Sequence, residues 1–246
     1  NGTEVTLKNS TLTYGQTLSK LEFNSVEFVD SDGNVIEGTL TWKKAAATPN
    51  AGTTSATWVF TPSKDSYESL NGNIAITVNK ATPYIVTKPS ATAITYGNIL
   101  SDSVLTDGAV QYSSEDTKAV AGSFAWKDAS VKPVVADSNR TSYTVIFTPE
   151  DETNYSLVEC DITLEVKQAE TAPNTPDKIM NVSYQCEKIG AVTLPDGWGW
   201  QDSDKDKSIE INVPITATAV YNGQDAGNYR NEKIEVTITR TACGES

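Results

Sequence analysis

The stretch Gly122-Ser-Phe-Ala-Trp126-Lys-Asp128, followed by Tyr143-Thr-Val-Ile-Phe147-Thr-Pro149-Glu-Asp-Glu-Thr-Asn154-Tyr155 and closing on Val166-Lys-Gln-Ala169, occurs more than once. Its first version reads Gly38-Thr-Leu-Thr-Trp42-Lys-Lys44, Ala56 to Tyr67 (ATWVFTPSKDSY) and Val78-Asn-Lys-Ala81. An eroded third version reads Gly197-Trp-Gly-Trp200-Gln-Asp202, Asp225-Ala-Gly-Asn-Tyr229 and Thr237 to Ala242 (TITRTA). One β-rich phrase is therefore written three times along the chain.

Spacing sets the alignment. Tyr14-Gly15 recurs as Tyr96-Gly97 at an offset of 82, and Trp42 recurs as Trp126 at an offset of 84. Phe60-Thr-Pro62 recurs as Phe147-Thr-Pro149 at 87, and Tyr67 as Tyr155 at 88. The offset drifts because insertions fall in loops and not in strands. In the third copy Tyr184 lies 88 beyond Tyr96, whereas Trp200 is only 74 beyond Trp126 and Asn228-Tyr229 only 74 beyond Asn154-Tyr155. The loss falls between the opening Tyr and the Trp, where one hairpin is expected to be missing.

Thr, Val, Ile and Tyr dominate the apolar runs, and Gly and Asn-Asp clusters interrupt them at short intervals, which is the composition of an all-β protein. Three tandem immunoglobulin-like β-sandwich modules in an elongated array are expected: residues 1–81, 82–169, and a shorter third, 170–246, behind a linker with Pro173 and Pro176. A β-grasp unit is the alternative and would need a helix in every copy. Strands are expected at Val5–Leu7, Leu21–Phe28, Thr39–Trp42, Ala56–Thr61 and Asn73–Val78, then Ser123–Trp126, Tyr143–Thr148 and Asp161–Val166. The third copy should have them near Val182–Gln185, Val192–Leu194, Ile215–Val220 and Ile234–Thr239.

With 19 basic and 32 acidic residues the net charge is −13, which repels phosphate backbones and anionic lipid. Nucleic acid is excluded as a partner, and no apolar run is long enough to span a bilayer as a helix. Histidine is absent, which removes the commonest general base and transition-metal ligand. The chain opens on Asn1, not Met, and reads as a processed or excised piece of something longer.

The five tryptophans suggest a sugar platform, but the repeat gives each a core role. Trp42, Trp126 and Trp200 share one position; Trp198 replaces Leu40 and Phe124, and Trp58 replaces Val145. Gly197 and Gly199 flank Trp198 and keep a platform open there, so Trp198, with Tyr221 second, is the carbohydrate-binding candidate. Tyr67, Tyr155 and Tyr229 each follow a polar turn and resemble the tyrosine corner of sandwich domains, whose hydroxyl ties back to backbone.

Asp30-Ser-Asp-Gly-Asn34 resembles the opening of a calcium loop, but Thr41 stands where the closing Glu belongs, so a hairpin turn is expected. Asp202, Asp204 and Asp206 alternate with Lys205 and Lys207 and read as a solvated loop. No metal site, cofactor or catalytic residue is assigned, and no poised base can be named for an enzyme. Cys186 and Cys243 lie near the two ends of the third copy and form a candidate disulfide, while Cys160 is expected as a buried thiol in a strand. Lys8 with Asn73 or Asn79 is a weak candidate for a side-chain cross-link. Glycosylation tripeptides begin at Asn9, Asn139, Asn154 and Asn181.

The phrases ITYGNILSDSVL, GSFAWKD, YTVIFTPEDETNY and LEVKQA resemble the tandem immunoglobulin-like repeats of large surface proteins from Gram-positive, often gut-dwelling bacteria. VTLPDGWGWQDSDKD and TATAVYNGQDAGNY in the third copy are similar to a companion repeat found beside them. The first copy departs by having Ser66 before its Tyr in place of Asn. The resemblance implies a non-catalytic stalk or spacer, secreted or on the cell surface or wall. It would be a monomer whose partners are the neighbouring domains of its parent protein. Two other readings stand beside it. One is a module for starch or mucin glycans, dietary or host, which needs Trp198 at the surface. The other is a protein-binding adhesin, which needs an exposed apolar patch between Tyr96 and Trp126.

Overall fold

The structure, a computed structural model, describes residues 4–243. The fold is all-β and of the immunoglobulin-like β-sandwich class; the helical turns among the described residues are all short 3₁₀ segments. Two compact units divide the chain. One holds the residues up to Pro89 with Asp107–Ala125 and Thr144–Cys160; the other holds Ser90–Thr106, Trp126–Tyr143 and the residues from Asp161 on. The second repeat contributes to both.

In the first unit Gly38–Trp42, Ser55–Pro62 and Leu70–Ala75 form an antiparallel sheet, with Trp42 opposite Trp58 and Leu40 opposite Phe60. The strand expected at Asn73–Val78 breaks at the buried Ile76. Beyond the break Thr77–Asn79 leaves this sheet and pairs in parallel with Thr11–Thr13, placing Leu12 beside Val78. One continuous apolar run thus serves two sheets, a corner that sandwich strands make by bending. The second repeat does the same: Val158–Ile162 closes a sheet with Gly122–Trp126 and Tyr143–Pro149, and Val166–Lys167 then pairs in parallel with Ile94–Thr95. In the third repeat Lys233–Arg240 stays unbroken. It pairs antiparallel with Ile215–Tyr221 on one side and parallel with Ile179–Val182 on the other.

Three expected strands do not form. Val5–Leu7 contributes only Leu7, in an isolated bridge. Leu21–Phe28 makes only a bridge, Leu7 with Phe23, because a 3₁₀ turn at Leu18–Lys20 feeds it and its side chains are drawn into the core. Val192–Leu194 likewise follows a 3₁₀ turn, Ile189–Ala191. In the second repeat Ala109–Gln111 pairs with Tyr84–Thr87, and Gln111 bridges Ala119.

All five tryptophans are buried, none above 9 % exposed. A buried indole must still satisfy its N–H. Trp42 donates to the Leu21 carbonyl at 2.9 Å, Trp126 to Ser103 at 3.3 Å and Trp200 to Val192 at 2.8 Å. Each acceptor is the residue that ends a 3₁₀ turn, at Leu18–Lys20, Leu100–Asp102 and Ile189–Ala191. The turn's first residue is buried in every copy: Leu18, Leu100, Ile189. The tight turn exists to aim one carbonyl at one indole. Burying an indole removes roughly 150–250 Å² from water, worth about 4–6 kcal/mol gross.

Candidate functional site

A group of hydrogen-bonded polar side chains lies where one repeat meets the next, and each compact unit holds one such joint. At the first, Tyr14 packs edge to face on Tyr155, ring centroids 5.3 Å apart, and Tyr112 also meets Tyr155 edge to face, at 6.4 Å. The Tyr112 hydroxyl donates to the Tyr14 carbonyl. Gly15, at φ +93, lies so close under the Tyr112 ring that a β-carbon would sit 2.7 Å from its hydroxyl, so only glycine fits. Ala81 N–H donates to the Asn154 carbonyl and Ser156 N–H to the Ala81 carbonyl, both at 2.9 Å, which carries strand pairing across the joint. Asn154, 6 % exposed, takes the Ala51 N–H on its Oδ1 at 2.9 Å and gives its Nδ2 to Asp151 Oδ2 at 2.7 Å.

The second joint repeats this with the next set of residues. Tyr96 packs edge to face on Tyr229 at 5.4 Å, with Tyr221 on Tyr229 at 5.6 Å. Ala169–Thr171 pairs in parallel with Tyr229–Asn231. Asn228 Oδ1 accepts the Val135 N–H at 2.9 Å, the counterpart of the Ala51 bond. Gln168 Nε2 donates to the carbonyls of Gly227 and Tyr229. The carboxylate of Asp225 accepts three hydroxyls: Tyr221 at 2.9 Å, Tyr229 at 3.0 Å and Tyr96 at 3.2 Å. Burial works to raise the pKa of Asp225, but the hydroxyls of Tyr221, Tyr229 and Tyr96 outweigh it and hold it below the usual carboxylate value. Burial, then the charge it faces, pushes Tyr229 up to about 12.

Several expectations are corrected here. Trp198 and Tyr221 are each 8 % exposed and lie in the core of the third repeat, 5.5 Å apart. The Trp198 N–H is held by the Pro173 carbonyl at 2.9 Å. The surface platform required for a glycan is therefore not formed by these rings. Gly197, at φ +86, opens no indole edge; it makes room for the Tyr221 ring, which would stand 2.6 Å from a β-carbon. A polar depression of about 390 Å³ lies nearby, lined by Gln201, Asp202, Lys205, Asn222 and Lys233, but the Trp200 beside it is 6 % exposed.

Cys186 and Cys243 are not bridged. Once the parallel pair Val182–Arg240 ends, the chain turns at Ser183–Cys186 and packs Cys186 against the core, while Cys243 runs out exposed. Cys160 lies half-buried in Val158–Ile162. The hydroxyls of Tyr229 and Tyr67 do not return to backbone as in a tyrosine corner; they reach the carboxylates of Asp225 and Asp30. Lys8 pairs with Glu22 at 2.7 Å, and Asn73 accepts from the Thr57 hydroxyl at 2.8 Å. The amide of Asn154 is occupied in the joint, so that tripeptide is structural.

Asp30 closes its turn as expected, accepting the N–H groups of Asp32 and Asn34 with Gly33 at φ +87. Asp204 differs from the solvated residue expected: it is 5 % exposed, paired with Lys207 at 2.6 Å, and accepts the Thr218 N–H at 2.8 Å. Between Tyr96 and Trp126 the large exposed apolar side chain is Val104, and a single residue makes no patch. Among the described residues no group of three or more Cys, Asp or Glu is arranged to hold a metal ion, and no helix is long and apolar enough to cross a membrane.

Sequence reasoning noted Tyr-Gly, Asn-Tyr and Lys-Ala as recurring phrases but assigned them no joint. The usable signal is that Tyr14, Tyr96 and Tyr184, and Tyr67, Tyr155 and Tyr229, recur in all three copies as Trp42, Trp126 and Trp200 do.

No known protein-family profile matches the chain, and no curated protein matches it in sequence. Among solved structures, it is similar to the titin domains I67–I69 (an E-to-A variant) at 10 % identity and TM-score 0.31, covering 98 % of this chain and 99 % of that one. It is similar to Drosophila N-cadherin EC1–3 at 9 % identity and TM-score 0.26, covering 98 % and 89 %. Domains 4–9 of the surface layer protein SbsC match at 8 % identity and TM-score 0.19, covering 97 % and 48 %. At these distances no role passes from those proteins to this chain.

Proposed function

We propose that the chain is a non-catalytic spacer of a large secreted or wall-anchored surface protein, of the Gram-positive kind its repeats resemble, presenting other domains at a set distance. The observation that carries this reading is the joint built twice from matching residues. A Tyr, a backbone N–H and an Ala of one repeat meet the Asn-Tyr of the next in both places. A flexible string of beads would leave its connections to solvated linker. Here the meeting surfaces contain the buried Asn154, Tyr155 and Ala81. An acidic surface that keeps the molecule dispersed fits the same role.

The test is a distance measurement across each joint, by spin labels placed on the outer sheets of adjoining repeats. A narrow distribution is expected in the unaltered chain, broadened at the first joint by Asn154→Ala and at the second by Asn228→Ala. A broad distribution in the unaltered chain sinks the proposal.

A further inference from the structure

We infer that the end of the third repeat carrying Tyr184, Ile211 and Cys243 is a third joint face, built to receive a further repeat whose turn reads Asp-x-x-Asn-Tyr. The inference rests on the spacer reading and extends it to a surface that no described residue of this chain covers. Correspondences between repeats locate the face. Tyr184 stands where Tyr14 and Tyr96 stand, each two residues beyond the core member of the parallel pair: Leu12 with Val78, Ile94 with Val166, Val182 with Arg240. Tyr14 and Tyr96 are half-buried under the next repeat's tyrosine; Tyr184 is 42 % exposed.

The backbone anchor has a counterpart too. Leu18 N–H donates to Ala47, Leu100 to Val131 and Ile189 to Lys207, which makes those three acceptors equivalent. Four residues beyond each come Ala51, Val135 and Ile211. The first two give their N–H to the Asn of the next repeat, whereas Ile211 is 47 % exposed, with Val213 beside it at 54 %. Three residues after Val78, Val166 and Arg240 come Ala81, Ala169 and Cys243. Ala81 is buried and Ala169 half-buried in pairing with the incoming Tyr; Cys243 is exposed. All three parts of the joint are thus present together, and no described residue covers them.

The occupant is a repeat and not a second copy of this chain. The incoming side needs an Asn whose Oδ1 takes a backbone N–H, and the first repeat, the one a second copy could offer, has Ser66 there. Its Tyr67 is already turned onto Asp30 at 3.4 Å.

The experiment replaces residues 244–246 with a second copy of residues 82–169, so that Thr82 follows Cys243 as it follows Ala81. Two rates are read against the parent chain: alkylation of Cys243 by a maleimide, followed by peptide mapping, and hydrogen exchange at the Ile211 amide. Both should slow about tenfold or more. Asn154→Ala with Tyr155→Ala in the appended copy should restore the parent rates while its central strand around Val145 stays protected. Parent rates in the extended chain overturn the inference, as does slowing that the double substitution leaves in place. An appended copy that exchanges freely throughout also counts against it, because the same segment folds beside the first repeat. A parent chain that sediments as a dimer with Cys243 already shielded overturns the choice of occupant. Rigid joints in the parent chain with an unprotected third face would sink this inference alone and leave the spacer reading standing.

Discussion

At the first joint Asp151 accepts from the amide of Asn154; at the second the corresponding Asp225 accepts from three tyrosines. The edge-to-face rings, the Asn-to-backbone bond and the Ala pairing are held in common. What differs is the wiring of the carboxylate. Tyr221 occupies the place that Phe147 holds in the second repeat and adds one of the three donors; the other two come from Tyr96 and Tyr229, which stand where Tyr14 and Tyr155 stand at the first joint. Ring packing and the asparagine anchor are therefore the joint itself, and the ionic part is an addition made once.

Four experiments press on this difference. The largest effect belongs to the shared rings. Tyr155→Ala should cost about 3–5 kcal/mol in chemical denaturation, since the ring is 7 % exposed. Tyr229→Ala, from a half-buried site, should cost about 2–3 kcal/mol. Equal losses would mean that burial does not rank the joints. Next comes the anchor. Asn154→Ala strands the Ala51 N–H in a buried place and should cost about 1–3 kcal/mol, while Asn228→Ala, less buried, should cost about 1 kcal/mol.

The third experiment separates charged from neutral wiring. Tyr112→Phe loses a bond to a carbonyl and Tyr229→Phe one to a carboxylate; each should cost about 1 kcal/mol near neutrality, the second reduced by its partial exposure. Both should change the alkaline limb, because burial raises the pKa of Tyr112 as well, but only the second takes a hydroxyl from Asp225 and should change the acid limb. The lowered pKa of Asp225 gives stability that is present above the ordinary carboxyl value and lost as pH falls through the lowered one. The raised pKa of Tyr229 gives stability that is complete below its ordinary value of 10.0 and lost as pH climbs through about 12. Near-ultraviolet circular dichroism should show both limbs, and Tyr229→Phe should flatten the alkaline one. The smallest effect is at Tyr184. Tyr184→Ser should move stability by no more than about 0.5 kcal/mol, because this ring is exposed and its hydroxyl meets the amide of the adjacent Gln185. Tyr96→Ser should cost several times more.

Local chemistry was legible in the sequence. The Asp30–Gly33 turn, the Gly38–Trp42 and Ser55–Pro62 pair and the burial of the tryptophans follow from turn residues, alternation and position-by-position substitution. Features that depend on distant partners were not. Tyr14 and Tyr155 belong to different repeats, and no period in either neighbourhood announces their contact. The break at Ile76 is invisible because an apolar run looks the same whether it serves one sheet or two. Gly197 misled because a glycine marks close approach as often as openness, and here the ring of Tyr221 fills the space.

The parallel pairing of first and last strands has a mechanical consequence. When a repeat is pulled from its two ends, strands that point the same way must slide past each other, and all of their cross-links are loaded in shear at once. The register holds three residue pairs in the first repeat, two in the second and four in the third. Under steady tension the second repeat should yield first and the third last, at rates set by the unfolding barrier and not by equilibrium stability.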